Sequence, residues 1–192
     1  MIRDIRVEKR ALRQKYKQIR REMTVEEKAL MDKKICDRFT SLWSYRNSET
    51  ILIYVSSAIE VDTREIINRA LKKGKKVAVP RCIDGTSLME FFFIESLEEL
   101  SVRSMGILEP ERDESKLLTD FSSGICVVPA LTFSKDGLRL GYGKGYYDRF
   151  LSSFSGSVVG LCYSNCISEN LPGGRYDKRV SSIVTDKGII IV

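Results

Sequence analysis

Histidine is absent from all 192 residues, and that gap removes a large part of enzyme chemistry. Serine–histidine and cysteine–histidine nucleophilic catalysis are excluded, and so is zinc held by imidazole. Five cysteines (Cys36, Cys82, Cys126, Cys162 and Cys166) are an odd, scattered set. Cys162 and Cys166 have a spacing that could ligate metal, but there is no second pair, so the five read as reduced structural thiols. No apolar run reaches the roughly 20 residues of a membrane-spanning helix. The charged start Met1–Arg6 lacks the apolar core of a signal peptide. A cytoplasmic protein without a membrane partner is expected. Repeats and low-complexity linkers are also missing. The chain fits one domain, 1–192, large enough to bury about 70% of its unfolded surface without a disulfide or metal staple.

What the chain does have is positive charge. Its net charge of +6 comes from 32 basic and 26 acidic residues. Much of the excess lies in the first 21, where Arg3, Arg6, Lys9, Arg10, Arg13, Lys15, Lys17, Arg20 and Arg21 face only Asp4 and Glu8. Such a balance suits a polyanion, either a nucleic acid or a small phosphorylated or carboxylated ligand. A solvated helix face accounts for most of these residues and leaves a few to reach an anion.

Ile5, Leu12, Tyr16, Ile19 and Met23 share one helical stripe, which predicts an amphipathic helix over 4–22 packed on the body. Thr24 and Glu27 form a capping-box pattern that opens a second helix to about Phe39. Thr50–Val55 is a continuous apolar run, as in a strand covered on both faces. Asp62 and Glu65 open the next helix, and Gly74 ends it. Strands are expected at Lys76–Val79 (stopped by Pro80), Met89–Ile94, Ile125–Val128, Val158–Cys162, Ser182–Thr185 and Ile189–Val192, the last two as a hairpin around Asp186-Lys187-Gly188. A polar stretch from Glu95 to Ser123 holds a short helix and the Gly106–Pro110 turn. Tyr146–Phe154 suits a helix. Alternating strands and helices predict an α/β fold: a single three-layer αβα domain with a mostly parallel, Rossmann-like open sheet and a C-terminal hairpin.

The most informative segment runs from Val127 to Leu151. A strand leads to a long loop, then to glycines at alternate positions (Gly141, Gly143, Gly145), then to a helix. Glycines let a backbone approach a ligand closely, and a helix N-terminus offers N–H groups and positive potential to phosphate. The spacing matches neither the dinucleotide fingerprint nor the P-loop. On spacing alone, a phosphate cradle and a structural turn account for it equally. Arg139 and Lys144 tip it toward phosphate. Asp148, on the first helical turn, suits a magnesium ligand, magnesium in phosphate sites being held by one or two carboxylates. A helix N-terminal charge would explain the same aspartate.

Arg139–Leu151 (Arg-Leu-Gly-Tyr-Gly-Lys-Gly-Tyr-Tyr-Asp-Arg-Phe-Leu), following Val-Pro-Ala-Leu-Thr-Phe, resembles the signature of the 5-formyltetrahydrofolate cyclo-ligase family, also called methenyltetrahydrofolate synthetase. The resemblance spans the chain: Lys9–Arg13, Glu60–Thr63, Gly106–Pro110 and Leu171-Pro172 with Asp177 match its other motifs. It implies that Lys9, Arg10 and Arg13 contact ATP phosphates, with Arg13 also near the folate. It implies further that Arg139, Leu140, Gly141, Tyr142, Gly143, Lys144, Gly145, Tyr146 and Tyr147 form the nucleotide loop. Within that loop Tyr142, Gly143, Lys144, Gly145 and Tyr146 would also line the substrate. Lys144, Arg139 and Tyr146 are the catalytic candidates, Val55 and Glu60 would hold the pterin end, and Asp148 and Asp177 would hold Mg2+. Without the resemblance, Val55 reads as a strand core residue and Glu60 as a solvated loop carboxylate. Ser164-Asn165-Cys166 and Tyr176 stand where many members have a glutamine and a histidine.

The implied reaction converts 5-formyltetrahydrofolate and ATP to 5,10-methenyltetrahydrofolate, ADP and phosphate, through a phosphorylated formyl group. Phosphoryl transfer asks mainly for positioning and charge neutralisation, which a chain without histidine can supply. The partner expected is a small molecule (the folate, with or without a polyglutamate tail), and the protein a monomer. Two alternatives are a phosphotransferase or ligase acting on another metabolite with the same loop, and a nucleic-acid-binding module built on the basic N-terminal helix. The second fits poorly, because the aromatics cluster at Tyr142–Tyr147 and do not interleave with the N-terminal basic residues.

Overall fold

The computed structural model describes residues 4–103 and 106–192; Arg3, counted above among the basic residues, lies outside them with the rest of 1–3. Helix α1 spans Ile5–Arg21, with Asp4 accepting a hydrogen bond from the Arg6 N–H. Tyr16 is buried, and Leu12, Ile19 and Met23 pack against the core. Ile5, assigned to the same stripe, stays 44% exposed because it sits at the helix start, beyond the body. Helix α2 (Val25–Ser41) opens with the predicted capping box, Thr24 and Glu27 each bonding the other's backbone N–H. A short helix α3 (Trp43–Asn47) leads to strand β1 (Thr50–Ile53).

Helix α4 (Arg64–Lys72) starts with Asp62 accepting from the Arg64 N–H. It ends at Gly74 with the paired bonds of a Schellman motif, Lys75 N–H to Ala70 and Gly74 N–H to Leu71. Strand β2 (Lys76–Cys82) does not stop at Pro80. Its pairing with β1 ends at Ala78, so from there β2 has a neighbour on one side only, and a proline is tolerated on such an edge. The other side pairs through Pro80 to Cys82 with β3 (Met89–Ile94). The polar stretch after β3 holds 3-10 turns at Leu97–Glu99 and Glu114–Lys116, and a two-stranded ribbon of β4 (Leu100–Val102) and β5 (Leu108–Pro110).

Strand β6 (Ile125–Val128) is buried along its whole length. The stretch expected as a plain loop contains β7 (Thr132–Ser134) and β8 (Arg139–Leu140), an antiparallel pair. Helix α5 is only Tyr146–Phe150, and the chain turns before Phe154 can extend it. Then come β9 (Ser157–Leu161), β10 (Ile167–Ser168) beside β7, and the hairpin of β11 (Ser182–Val184) and β12 (Ile189–Ile191).

The main sheet has the order β12-β11-β9-β6-β1-β2-β3, parallel from β11 to β2 and antiparallel at both edges. From β1 the chain moves outward to β2 and β3, then crosses back to β6 and outward the other way to β9 and β11. The order therefore reverses between β1 and β6. In open α/β sheets the crevice outside the carboxyl ends of strands at such a reversal is where ligands bind. Right-handed crossovers in opposite directions place α4 and α5 on opposite faces of the sheet.

Candidate functional site

Two segments leave the sheet at the reversal. One follows β1 through Val55 to Glu60; the other follows β6 through Ala130–Leu131 to the glycine loop. Helix α1 lies across both. Its residues Lys9, Arg13, Lys17 and Arg20 are spaced by four, four and three, so they share one face over successive turns. Each meets a different part of the crevice. Lys9 Nζ is 2.6 Å from Asp177 Oδ2. Arg13 Nε donates to the Gly141 carbonyl at 2.9 Å. Lys17 Nζ lies 5.5 Å from the centre of the Tyr142 ring. Arg20, 3% exposed, donates to the carbonyls of Leu131 (3.0 Å), Ile59 (3.0 Å) and Ala130 (2.8 Å).

Two glycines of the loop are required by their positive φ and by close approach of arginine side chains. Gly143 has φ of 101°, and a Cβ there would come within 3.1 Å of the Arg13 guanidinium carbon. Gly145 has φ of 76°, and a Cβ would lie 2.7 Å from Arg149 Nη1. The helix that follows is a single turn and adds little macrodipole. Positive potential at the loop therefore comes from side chains more than from the helix end expected to supply it. Lys144 is exposed, and among the described residues its ammonium has neither ion pair nor hydrogen bond. Arg10 is exposed as well.

Arg139 is the opposite case. Its side chain is 6% exposed, with Nη2 2.7 Å from Asp148 Oδ1 and the guanidinium 5.6 Å from the centre of the Tyr147 ring. Asp148 Oδ1 also accepts from the Lys178 N–H at 3.2 Å, which brings Asp148 beside Asp177. Asp177 Oδ2 in turn accepts from the Gly174 N–H at 2.8 Å. Each carboxylate thus commits one oxygen to a cation and a backbone N–H. The other oxygen of each takes no hydrogen bond among the described residues. Two carboxylates on segments joined by the Lys178 N–H, each with an oxygen to spare amid cations, suit the hard-oxygen preference of magnesium, which keeps several waters and takes phosphate oxygens as further ligands. Tyr176, adjoining Asp177, is exposed.

On the β1 side, Val55 is buried in the core. Glu60 is not the solvated loop carboxylate its sequence context suggests: it is 8% exposed, and its Oε2 accepts from the Ser57 N–H at 2.7 Å. The Tyr142 hydroxyl contacts Ser57 and Glu60, so the glycine loop folds back onto this turn. Burial first, and then the Glu60 carboxylate, raise the Tyr142 hydroxyl well above its ordinary pKa. Tyr147 is also raised well above its ordinary value, by burial and then by Cys126 and Glu60, and its hydroxyl has no hydrogen-bond partner among the described residues. Tyr146 donates to the Thr86 carbonyl at 3.2 Å. Burial and then Cys82 raise its hydroxyl, while burial and then Glu109 push the Cys82 thiol up to about 11. All three tyrosines are therefore neutral at physiological pH, and Tyr142 and Tyr146 act as hydrogen-bonding groups.

The fold brings together Lys9, Arg13, Arg139, Tyr142, Asp148 and Asp177, with Glu60 joined through Tyr142. The model of the 5-formyltetrahydrofolate cyclo-ligase family matches residues 5–186. The chain belongs to that family. A probable 5-formyltetrahydrofolate cyclo-ligase of Schizosaccharomyces pombe is 30% identical over 81% of this chain and 84% of its own. The 5-formyltetrahydrofolate cyclo-ligase of Mus musculus is 29% identical over 92% of each chain. Among solved structures, the Aquifex aeolicus 5,10-methenyltetrahydrofolate synthetase superposes with a TM-score of 0.80 at 31% identity, covering 95% of this chain and 92% of the other. The Mycoplasma pneumoniae synthetase gives 0.72 at 25% identity, covering 93% and 98%. This chain is a cyclo-ligase-family enzyme with the fold of those synthetases.

Sequence reasoning did not single out Lys17, Arg20 and Glu109. The spacing of the α1 cations was a usable signal for the first two. Glu109 had none beyond its turn motif: it is 3% exposed, 3.8 Å from Arg103 and behind the Cys82–Tyr146 pair. The Cys162 and Cys166 thiols lie beside the Arg20 guanidinium, and among the described residues no third His, Cys, Asp or Glu joins them in a ligand group.

Proposed function

We propose that the chain converts 5-formyltetrahydrofolate to 5,10-methenyltetrahydrofolate with hydrolysis of ATP to ADP and phosphate. The observation that carries this is the convergence of Lys9, Arg13 and Arg139 with Asp148 and Asp177 at one end of the reversal, linked through Tyr142 to Glu60 at the other. One end is furnished for phosphates and the other for a neutral, hydrogen-bonding heterocycle.

The formyl oxygen is a poor leaving group and becomes a good one once phosphorylated. It attacks the γ-phosphorus and ADP departs. N10 then adds to the formyl carbon, loses its proton, and phosphate leaves with the former formyl oxygen as the ring closes. Lys144, whose ammonium is unengaged, follows the transferring phosphoryl group; Arg13, Lys9 and Arg10 hold the remaining phosphates. Magnesium, held by Asp148 and Asp177, would supply charge neutralisation at those oxygens. Tyr146 and Tyr142 position the acceptor as neutral donors, and Glu60 takes N–H groups of the pterin. Arg139 acts chiefly by fixing Asp148. No side chain serves as a nucleophile, in keeping with a reaction carried by positioning and electrostatics.

The occupation of α1's inward cations by these contacts favours the enzyme over a nucleic-acid-binding module, which would present them outward. The test is direct. Purified protein with 5-formyltetrahydrofolate, ATP and magnesium should generate the near-ultraviolet absorbance of the methenyl product with one ADP per turnover. ATP binding without that absorbance would transfer the site to another acceptor.

A further inference from the structure

We propose that Arg20 is a positioning residue for the folate side of the site, locking α1 to the turn that carries Glu60 and to the exit from β6. The proposal rests on the cyclo-ligase reading above. A guanidinium buried merely for packing would be an unfavourable choice, since desolvating a charge is costly and apolar side chains fill such positions better. Here the charge meets no carboxylate at hydrogen-bond distance among the described residues. Its fork instead reaches three main-chain carbonyls, Ile59 through Nη1, Ala130 through Nη2 and Leu131 through Nε. The thiols of Cys162 and Cys166 complete the shell.

Those carbonyls are not scattered. Ile59 adjoins Glu60, and Ala130–Leu131 begins the segment that ends in the glycine loop. Leu131 is tied on by its N–H to the Leu140 carbonyl at 2.9 Å, one residue before Gly141. One planar group therefore fixes the distance between the two segments that flank the crevice. The Glu60 turn is gripped a second time. Tyr163 lies beneath the guanidinium, 5.2 Å from ring centre to Cζ, and its hydroxyl sits 3.0 Å from the Glu60 carbonyl and 2.8 Å from Asp32 Oδ1. With residues 59 and 60 both held by their carbonyls, the Glu60 side chain emerges in one direction, toward Tyr142. A lysine cannot reproduce this, because its three donors sit on one atom and cannot span Ile59 and Leu131 together.

The experiment measures both Michaelis constants in Arg20→Lys, in Glu60→Gln and in the double variant, with Ile35→Val as a packing control and melting temperatures throughout. Arg20→Lys should raise KM for 5-formyltetrahydrofolate about tenfold and leave KM for ATP within about twofold. In the Glu60→Gln background the same substitution should change folate KM by about twofold or less, because the group it positions has already been altered. An unchanged folate KM in folded Arg20→Lys overturns the proposal. So does an undiminished tenfold effect on top of Glu60→Gln, or an equal rise in both constants. If Arg20→Lys does not fold, Tyr163→Phe keeps the ring beneath the guanidinium and removes the hydroxyl that faces the Glu60 carbonyl and Asp32, with Asp32→Asn as the control for the second contact. Tyr163→Phe should raise folate KM about threefold, again only where Glu60 is intact, and no change there overturns the proposal. A wild-type chain that makes no methenyl product overturns the cyclo-ligase reading; an active wild type with an indifferent Arg20→Lys overturns the role of Arg20 alone.

Discussion

The two ends of the crevice are built in opposite ways. The end proposed for phosphates is assembled from charge: Lys9 with Asp177, Arg139 with Asp148, and an exposed Lys144, drawn from segments far apart in the chain. The end proposed for the folate is assembled from burial: Glu60 and Arg20 are fixed by backbone groups, and Tyr147 is enclosed with no hydrogen-bond partner for its hydroxyl among the described residues. A ligand of mobile, highly charged phosphates is met by cations that can exchange partners. A flat, weakly charged heterocycle is selected only by donors and acceptors that do not move. The difference teaches that substitutions at the first end should act on turnover and metal use, and at the second on substrate affinity.

The largest test of that division is Lys144→Ala. Because the side chain is exposed and unpaired, kcat should fall about 100-fold or more with the melting temperature unchanged. Near-normal turnover would break the comparison at its charged end. Next comes Glu60→Gln, which keeps the oxygen facing the Ser57 N–H and alters the charge offered to the pterin. Folate KM should rise about tenfold while ATP KM stays put; a matched rise in ATP KM would show that the ends are not separable.

Asp148→Asn and Asp177→Asn sharpen the comparison within the charged end. Both should raise the magnesium concentration needed for half-maximal rate. Asp148→Asn should also cost about 2 kcal/mol of stability, read by denaturant melts, because it strands the nearly buried Arg139. Asp177→Asn should cost less, since Lys9 at 17% exposure can turn to water. The smallest effect is alkaline. Burial raises the Cys36 thiol to about 11 and Cys162 to about 12 from an ordinary 9.0, against the opposing pull of Arg69 on the first and Arg20 on the second. Their folded pKa exceeds the unfolded one, so the folded state holds its protons longer as pH rises. Stability from these groups is complete below about pH 9 and declines through the folded pKa values. Melting temperature should be flat from about pH 7 to 8.5 and fall above that, and replacing Cys162 with alanine should shallow the fall.

Much of this was legible in the chain. The five parallel core strands were visible because runs such as Ile125–Val128 are apolar at every position, as burial on both faces demands. The Thr24 capping box and the Gly74 helix end were visible because their partners lie within a few residues. Pro80 misled because its tolerance depends on where β1 stops pairing. The length of α5 misled because the apolar residues to Phe154 are buried by a turn as well as by a helix.

The sequence by itself determined the α/β class, the absence of histidine chemistry, and a glycine loop carrying Arg139, Lys144 and Asp148, all of which depend on composition or on neighbours in the chain. Only the tertiary structure decided that Lys9 meets Asp177 and that Arg139 meets Asp148 and not solvent. It alone buried Glu60, and it set Arg20, one basic residue among nine near the N-terminus, against three main-chain carbonyls beside the crevice. Those outcomes are set by the reversal of strand order between β1 and β6 and by the docking of α1 across it. Desolvation and pairing of a charge depend on what distant segments bring to it, and local sequence carries no record of that.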